Sequence, residues 1–127
     1  MTARYEIDHG SGSARLRIRV VFGSGVMLGP GKADLLERIA ETGSIAAAGR
    51  AMGMSYKRAW SLVEELNALF QHPLVLSSRG GATGGGASLT DMGEQVLALY
   101  RELEEAARKT GADQIERLES LLSDMSR

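Results

Sequence analysis

The chain has 127 residues, of which 43% are hydrophobic, so we expect one domain with or without an oligomerisation segment. No apolar run is long enough to span a membrane or to resemble a signal peptide, so we expect the protein to be cytoplasmic. It has no cysteine, and its two histidines, His9 and His72, lie far apart, so we expect neither a metal centre nor a cofactor. The formal net charge of -1 is uneven, with +4 over residues 1–60 and -5 over residues 61–127, and therefore does not exclude binding to nucleic acid.

Residues 1–14 lack periodicity and are predicted to be a flexible N-terminus. The next stretch, Leu16–Phe22, alternates apolar and basic residues, as in a half-buried strand with Arg15, Arg17 and Arg19 on one face. A basic edge touching the DNA backbone is one interpretation of this face. A solvated strand face is favoured, because arginines also protect edge strands from aggregation.

A helix is predicted from about Lys32 to Glu41, followed by two shorter helical stretches that have the pattern of a helix-turn-helix. Ser44 and Ser55 are candidate N-caps, and Gly53 lies where the chain must turn sharply. Gly49 would let the two helices cross closely. The apolar residues predicted to be buried are Ala33, Leu35, Leu36, Ile39 and Ala40 in the first helix and Ala48, Met52, Met54, Ala59 and Leu62 in the motif.

The second helix of the motif is the candidate recognition helix, because Tyr56, Lys57 and Arg58 fall in its exposed first turn. It is predicted to continue to about Phe70. Trp60 is expected to anchor the core, and the alternative is an indole N–H presented to DNA. An ordinary helical hairpin with solvated cations is the alternative to the whole motif.

A glycine-rich hairpin is predicted next, with strands Leu74–Leu76 and Ala87–Leu89. Placed after a recognition helix, it is typical of a wing whose Arg79, Gly80 and Gly81 approach the DNA backbone. A nucleotide-binding loop is disfavoured, because no Gly-Lys-Ser/Thr sequence is present.

Thr90 is predicted to cap a long helix, with Asp91 in its first turn. We expect its apolar residues to form a dimer seam, although they could instead cover the domain's own core. The first seam comprises Val96, Tyr100, Leu103 and Ala107, and a second one, after a break at Thr110–Asp113, comprises Ile115, Leu118, Leu122 and Met125.

Together these patterns predict a mainly helical α+β fold, a winged helix-turn-helix over residues 15–90 with a helical dimerisation segment over residues 91–127. The predicted partners are double-stranded DNA and a second copy of the chain, with no membrane partner. The candidate DNA-binding residues are Ser44, Ser55, Tyr56, Lys57, Arg58, Ser61, Arg79, Gly80 and Gly81.

The chain resembles the N-terminal DNA-binding domain of the ModE family of molybdate-responsive regulators, which is LysR-like. The resemblance is carried by residues 43–48 (Gly-Ser-Ile-Ala-Ala-Ala), residues 53–60 (Gly-Met-Ser-Tyr-Lys-Arg-Ala-Trp), the glycines after Arg79, and Leu89-Thr90. It implies a homodimer on a palindromic operator, with Ser55 to Arg58 in the groove, and a link to molybdenum metabolism. It covers about residues 16–108 and does not extend to the family's oxyanion-binding domains, so it gives no support for molybdate binding by this chain.

The predicted function is therefore a sequence-specific transcriptional regulator. The alternative is a winged-helix module for protein interaction or assembly, and an oxyanion sensor is supported by the resemblance alone. An enzyme is not expected, because no nucleophile, base and orienting group occur at a recognisable spacing.

Overall fold

The computed structural model describes residues 14–78 and 86–124 of the protein. Over these residues the chain forms two antiparallel strand pairs and five helices, which confirms the mainly helical α+β class. No helix in the described part is long and apolar enough to cross a membrane. The elements are β1 (Val20–Val21), β2 (Met27–Leu28), α1 (Pro30–Thr42), α2 (Ile45–Ala51), α3 (Tyr56–Leu69), β3 (Val75–Ser78), β4 (Gly86–Leu89), α4 (Asp91–Thr110) and α5 (Ala112–Ser120).

The N-terminal strand is much shorter than predicted, because only Val20 and Val21 pair with β2. The predicted alternation nevertheless holds before it, with Arg15, Arg17 and Arg19 exposed and the residues between them half-buried. This extended segment is held by α4 rather than by a neighbouring strand, since the Tyr100 hydroxyl donates a 2.5 Å hydrogen bond to the carbonyl oxygen of Ile18.

Helix α1 begins at Pro30, two residues before the predicted start, because proline suits the first helical position. Its last residue is Thr42, and the following Gly43 caps it with a φ of 71°, the left-handed conformation that glycine adopts most readily. Four of its predicted core residues are buried, whereas Ala40 is exposed near the end of the helix.

The core lies between α1, α2, α3 and the first half of α4. Its largest fully buried side chains are Leu35, Leu36, Ile39, Leu66, Leu74 and Val63. Val96 and Tyr100 of α4 join the same core, at 8% and 2% exposure. The assignment of Val96 and Tyr100 to a dimer seam is therefore wrong, because both are buried in the core of their own chain.

The first turn of α4 approaches the chain before β3 very closely. Thr90 caps the helix, as predicted, by accepting from the Gly93 N–H at 2.9 Å, and its own hydroxyl donates to the carbonyl oxygen of Pro73 at 2.7 Å. A Cβ added at Gly93 would overlap the carbonyl oxygen of Leu74 and lie 3.0 Å from its carbonyl carbon. Only glycine fits this contact.

An ion-pair cluster fastens α4 to α1. The Arg101 guanidinium lies 2.7 Å from Asp34, 2.9 Å from Glu37 and 2.9 Å from Glu104. Burial alone would lower the pKa of Arg101, but hydrogen bonds to Asp34 and Glu104 outweigh it and raise that pKa. The charged cluster thus fixes the position of α4 on the core.

Helix α5 starts at Ala112, close to the predicted break, and has no buried residue. Ile115 is half-buried, Leu118 is 65% exposed and Leu122 is 44% exposed, while Met125 lies outside the described residues. The second apolar seam therefore lies largely on the surface.

Candidate nucleic-acid interface

Local hydrogen bonds fix where the two helices of the motif begin, as the sequence predicts. The Ser44 hydroxyl accepts from the Ala47 N–H at 3.0 Å, and the Ser55 hydroxyl accepts from the Arg58 N–H at 3.0 Å. Gly53, with a φ of 72°, makes the turn between the helices. Both predicted caps and the predicted turn glycine are therefore confirmed.

The crossing of α2 and α3 depends on Gly49. A Cβ at this position would lie only 2.9 Å from the Cβ of Ala59 and 3.4 Å from the Cγ of Met54. The neighbouring Ala48 and Ala59 are fully buried, as predicted, whereas Met52 and Met54 are half-buried and pack against the core. The small side chains at the crossing therefore allow α2 and α3 to pack closely against each other.

The exposed face of α3 presents the predicted groove residues. Tyr56 is 59% exposed, Lys57 and Arg58 are exposed, and Ser61 is half-buried. At about 100° of rotation per residue, Lys57 lies midway between Tyr56 on one flank and Arg58 on the other. The Ser44 and Ser55 hydroxyls cap their helices but keep an O–H that can donate to a ligand.

Trp60 lies beside this face and packs against the core, as favoured from the sequence. Its ring meets that of Tyr56 edge to face, with centroids 6.1 Å apart. The indole Nε1 is buried and has no hydrogen-bond partner among the described residues. The aromatic pair therefore supports the first turns of α3.

The predicted wing is present as the β3–β4 hairpin, with Val75 opposite Leu89 and Ser78 opposite Gly86. The Ala87 N–H donates to the carbonyl oxygen of Gly43 at 2.9 Å, which joins the hairpin to the corner between α1 and α2. A small groove of about 170 Å³ separates the hairpin from the motif. Its lining includes Ser44, Ala46, Tyr56, Trp60, Ser77 and Ala87. The predicted contact residues Arg79, Gly80 and Gly81 lie outside the described residues.

Asn67 joins α3 to the hairpin and was missed by the sequence analysis. Its Oδ1 accepts from the N–H groups of Leu74 at 2.8 Å and Val75 at 3.0 Å, and its Nδ2 donates to the carbonyl oxygen of Val75 at 3.2 Å. The sequence could have indicated this role, because Asn67 is a polar amide beside the apolar stripe of α3 and such a side chain needs hydrogen-bond partners when it is buried.

The remaining dimer candidates are partly accessible. Leu103 is 42% exposed and Ala107 is half-buried, and Leu99, which was not in the predicted seam, is 57% exposed. The accessible apolar side of α4 is therefore rotated away from Val96 and Tyr100.

Comparison with known proteins agrees with this geometry. Residues 32–94 match the model of the family described as "Bacterial regulatory helix-turn-helix protein, lysR family". The chain is 43% identical over 86 residues to the molybdenum-pterin-binding protein MopB of Rhodobacter capsulatus, a match that covers 68% of this chain and 32% of MopB. It is 39% identical over 102 residues to the DNA-binding transcriptional dual regulator ModE of Escherichia coli (strain K12), covering 77% of this chain and 39% of that protein.

The chain thus spans between 32% and 39% of the length of these two relatives. Among solved structures, the crystal structure of the CbnR_DBD-DNA complex superposes with a TM-score of 0.54 at 23% identity, covering 69% of this chain and 95% of that one. This likeness confirms the winged helix-turn-helix fold.

Proposed function

We propose that the chain is a sequence-specific, DNA-binding transcriptional regulator of ModE type, because residues 32–94 match the model of the bacterial regulatory helix-turn-helix proteins of the lysR family. The observation that carries the proposal is the exposed first turn of α3. There Tyr56, Lys57 and Arg58 project from the end of the recognition helix that contacts base edges in helix-turn-helix proteins. The name of one relative, the molybdenum-pterin-binding protein MopB, supports a role in molybdenum metabolism.

Electrostatics support the assignment of this face. Neither Lys57 nor Arg58 forms an ion pair with another described residue, so both charges are available to phosphates or base edges. Arginine and lysine are the residues that most often bind guanine in the major groove. Wing contacts through Arg79, Gly80 and Gly81 complete the proposed interface.

The proposal is tested by genomic DNA pull-down, followed by anisotropy titration of the enriched site. Replacing both Lys57 and Arg58 with alanine should weaken binding to that site by about 5-fold or more per side chain, because each good base contact contributes about 1–3 kcal/mol. The matched control replaces Lys109 and Arg117, two exposed cations of α4 and α5, with alanine. A folded Lys57/Arg58 variant that keeps wild-type affinity would refute the assignment.

We further propose that two copies associate through the accessible apolar side of α4 and α5. A two-fold dimer would present its recognition helices about 34 Å apart and bind a two-fold symmetric site. Replacing Leu99 and Leu103 with glutamate should leave a folded monomer in sedimentation velocity, because two charges would have to be buried at the interface. A dimer that persists in this variant would place the contact elsewhere.

A further inference from the structure

A second groove borders α3 on the side away from the wing. It lies between α3, the beginning of α1 and the segment before β1, and has a volume of about 560 Å³. Four cationic side chains line it: Arg17, Arg19, Lys32 and Arg58. We name it the arginine groove. Met27, Met54 and Leu62 supply apolar lining.

Most of this positive charge is uncompensated. Lys32 Nζ lies 3.3 Å from a carboxylate oxygen of Glu65 and 3.0 Å from the carbonyl oxygen of Met27. By contrast, Arg17, Arg19 and Arg58 form no ion pair with any residue in the described part of the chain. The groove therefore offers three arginine guanidinium groups to an anionic ligand.

The backbone that carries Arg17 and Arg19 is held in place. The carbonyl oxygen of Ile18, between them, accepts the hydrogen bond from Tyr100, a residue that is only 2% exposed. The Arg19 stem packs at Gly29, where an added Cβ would lie 3.8 Å from its Cγ. Because the backbone of the segment is already ordered, little backbone entropy would be lost when the two arginines bind a ligand, and the entropy cost is confined to their side chains.

The arginine groove and the wing lie on opposite flanks of α3. Tyr56 and Trp60, four residues apart, line the groove beside the wing, whereas Arg58 and Leu62, also four apart, line the arginine groove. The two pairs are offset by two residues, or about 200° around the helix. A helix in the major groove of DNA has a phosphate strand on either side.

We propose that the arginine groove binds the DNA phosphate strand on the side of α3 opposite the wing, with Arg17 and Arg19 as its contacts and Arg58 at its border with the base-reading face of α3. This inference rests on the proposed function, because it requires α3 to lie in the major groove. In this arrangement the N-terminal segment anchors α3 to one of the two phosphate strands that border the DNA major groove, and the wing approaches the other. The contacts of the N-terminal segment carry no base specificity.

The test compares the wild type with a variant carrying Arg17→Gln and Arg19→Gln, which spares Arg58. The plot of log affinity against log salt should become shallower by about 1.8 per bound protomer, because each phosphate contact contributes a slope of about 0.9. Between 50 and 200 mM salt, wild-type affinity should fall about 12-fold more than that of the variant per bound protomer. A variant with Lys109→Gln and Arg117→Gln, which removes equal charge from α4 and α5, should keep the wild-type slope.

Ethylation interference with the wild-type protein provides a measurement independent of any variant. Phosphates on both walls of the major groove should interfere in each half-site, and the wall lost in the Arg17/Arg19 variant should lie opposite the wing. An unchanged slope and an unchanged interference pattern would overturn the inference while leaving the regulator proposal intact. A wild type that binds no DNA would instead overturn both.

Discussion

Replacing Gly49 with alanine tests whether the close crossing of α2 and α3 requires a residue without a side chain at this position. The new Cβ would lie 2.9 Å from the Cβ of Ala59, whereas carbon atoms in optimal contact are about 3.5–4.0 Å apart. Overpacking of this kind costs about 1–3 kcal/mol. The higher helix propensity of alanine offsets about 1 kcal/mol of that cost. We therefore expect a net loss of up to about 2 kcal/mol in the free energy of unfolding.

The informative comparison moves the methyl group from one helix to the other. Ala59→Gly alone should cost about 1 kcal/mol in helix propensity and about 0.8 kcal/mol for the lost buried methyl group. In the double variant Gly49→Ala/Ala59→Gly the propensity changes cancel and the methyl group occupies the vacated space. The double variant should thus lie close to the wild type, well above the sum of the single effects.

Urea unfolding of the four proteins, followed by circular dichroism, gives the coupling free energy. We expect it to be about 2–4 kcal/mol in favour of the double variant, which overlaps the upper part of the range for contacting residues. Single effects that add to within about 0.5 kcal/mol would refute the reasoning, because residues that do not share a contact behave in that way.

Three further predictions concern contacts around the core. Gly93→Ala should lower the free energy of unfolding by at least about 3 kcal/mol, because the new Cβ would overlap the backbone of Leu74. The control Gly31→Ala, at an exposed site with no atom within 4 Å, should instead raise the free energy of unfolding by about 0.5 kcal/mol. Equal effects of the two variants in thermal unfolding would contradict this prediction. Asn67→Ala should cost about 2–4 kcal/mol in urea unfolding, since two backbone N–H groups lose their acceptor, and a loss below about 0.5 kcal/mol would exclude a bracing role. Burial raises the pKa of Tyr100 to about 12. The contribution of this shift to the free energy of unfolding is therefore complete below pH 10 and should fall by up to about 2.7 kcal/mol between pH 10 and pH 12. The variant Tyr100→Phe should lack this fall when unfolding is measured across that range.

The local features of the fold could be predicted because neighbouring residues determine them. Ser44, Ser55 and Thr90 cap helices through N–H groups three residues away, and Gly53 makes a turn that its own backbone permits. The strand pairing of the wing was likewise indicated by two apolar stretches around a glycine-rich loop. Such signals lie within a few residues of the structure they specify.

What covers an apolar stripe could not be predicted in the same way. The spacing of Val96, Tyr100 and Leu103 indicates a buried helix face, but a partner chain and the chain's own core satisfy it equally well. The N-terminal segment decides the matter, because Ile18, 82 residues away, meets the hydroxyl of Tyr100. The arginine groove likewise depends on residues brought together from three separate elements.

The attachment of α4 has a mechanical consequence. Its first half is built into the core and clamped to α1 by Arg101, whereas the part beyond Arg101 carries the exposed Leu103 and ends at Thr110. Beyond Arg101 the helix continues to Thr110, a length of about 14 Å, so a tilt of about 4° at the clamp would move the far end by roughly 1 Å. Helix α4 would therefore act as a stiff lever arm, because a force applied at its tip would be transmitted to α1, the helix against which α2 of the helix-turn-helix is packed.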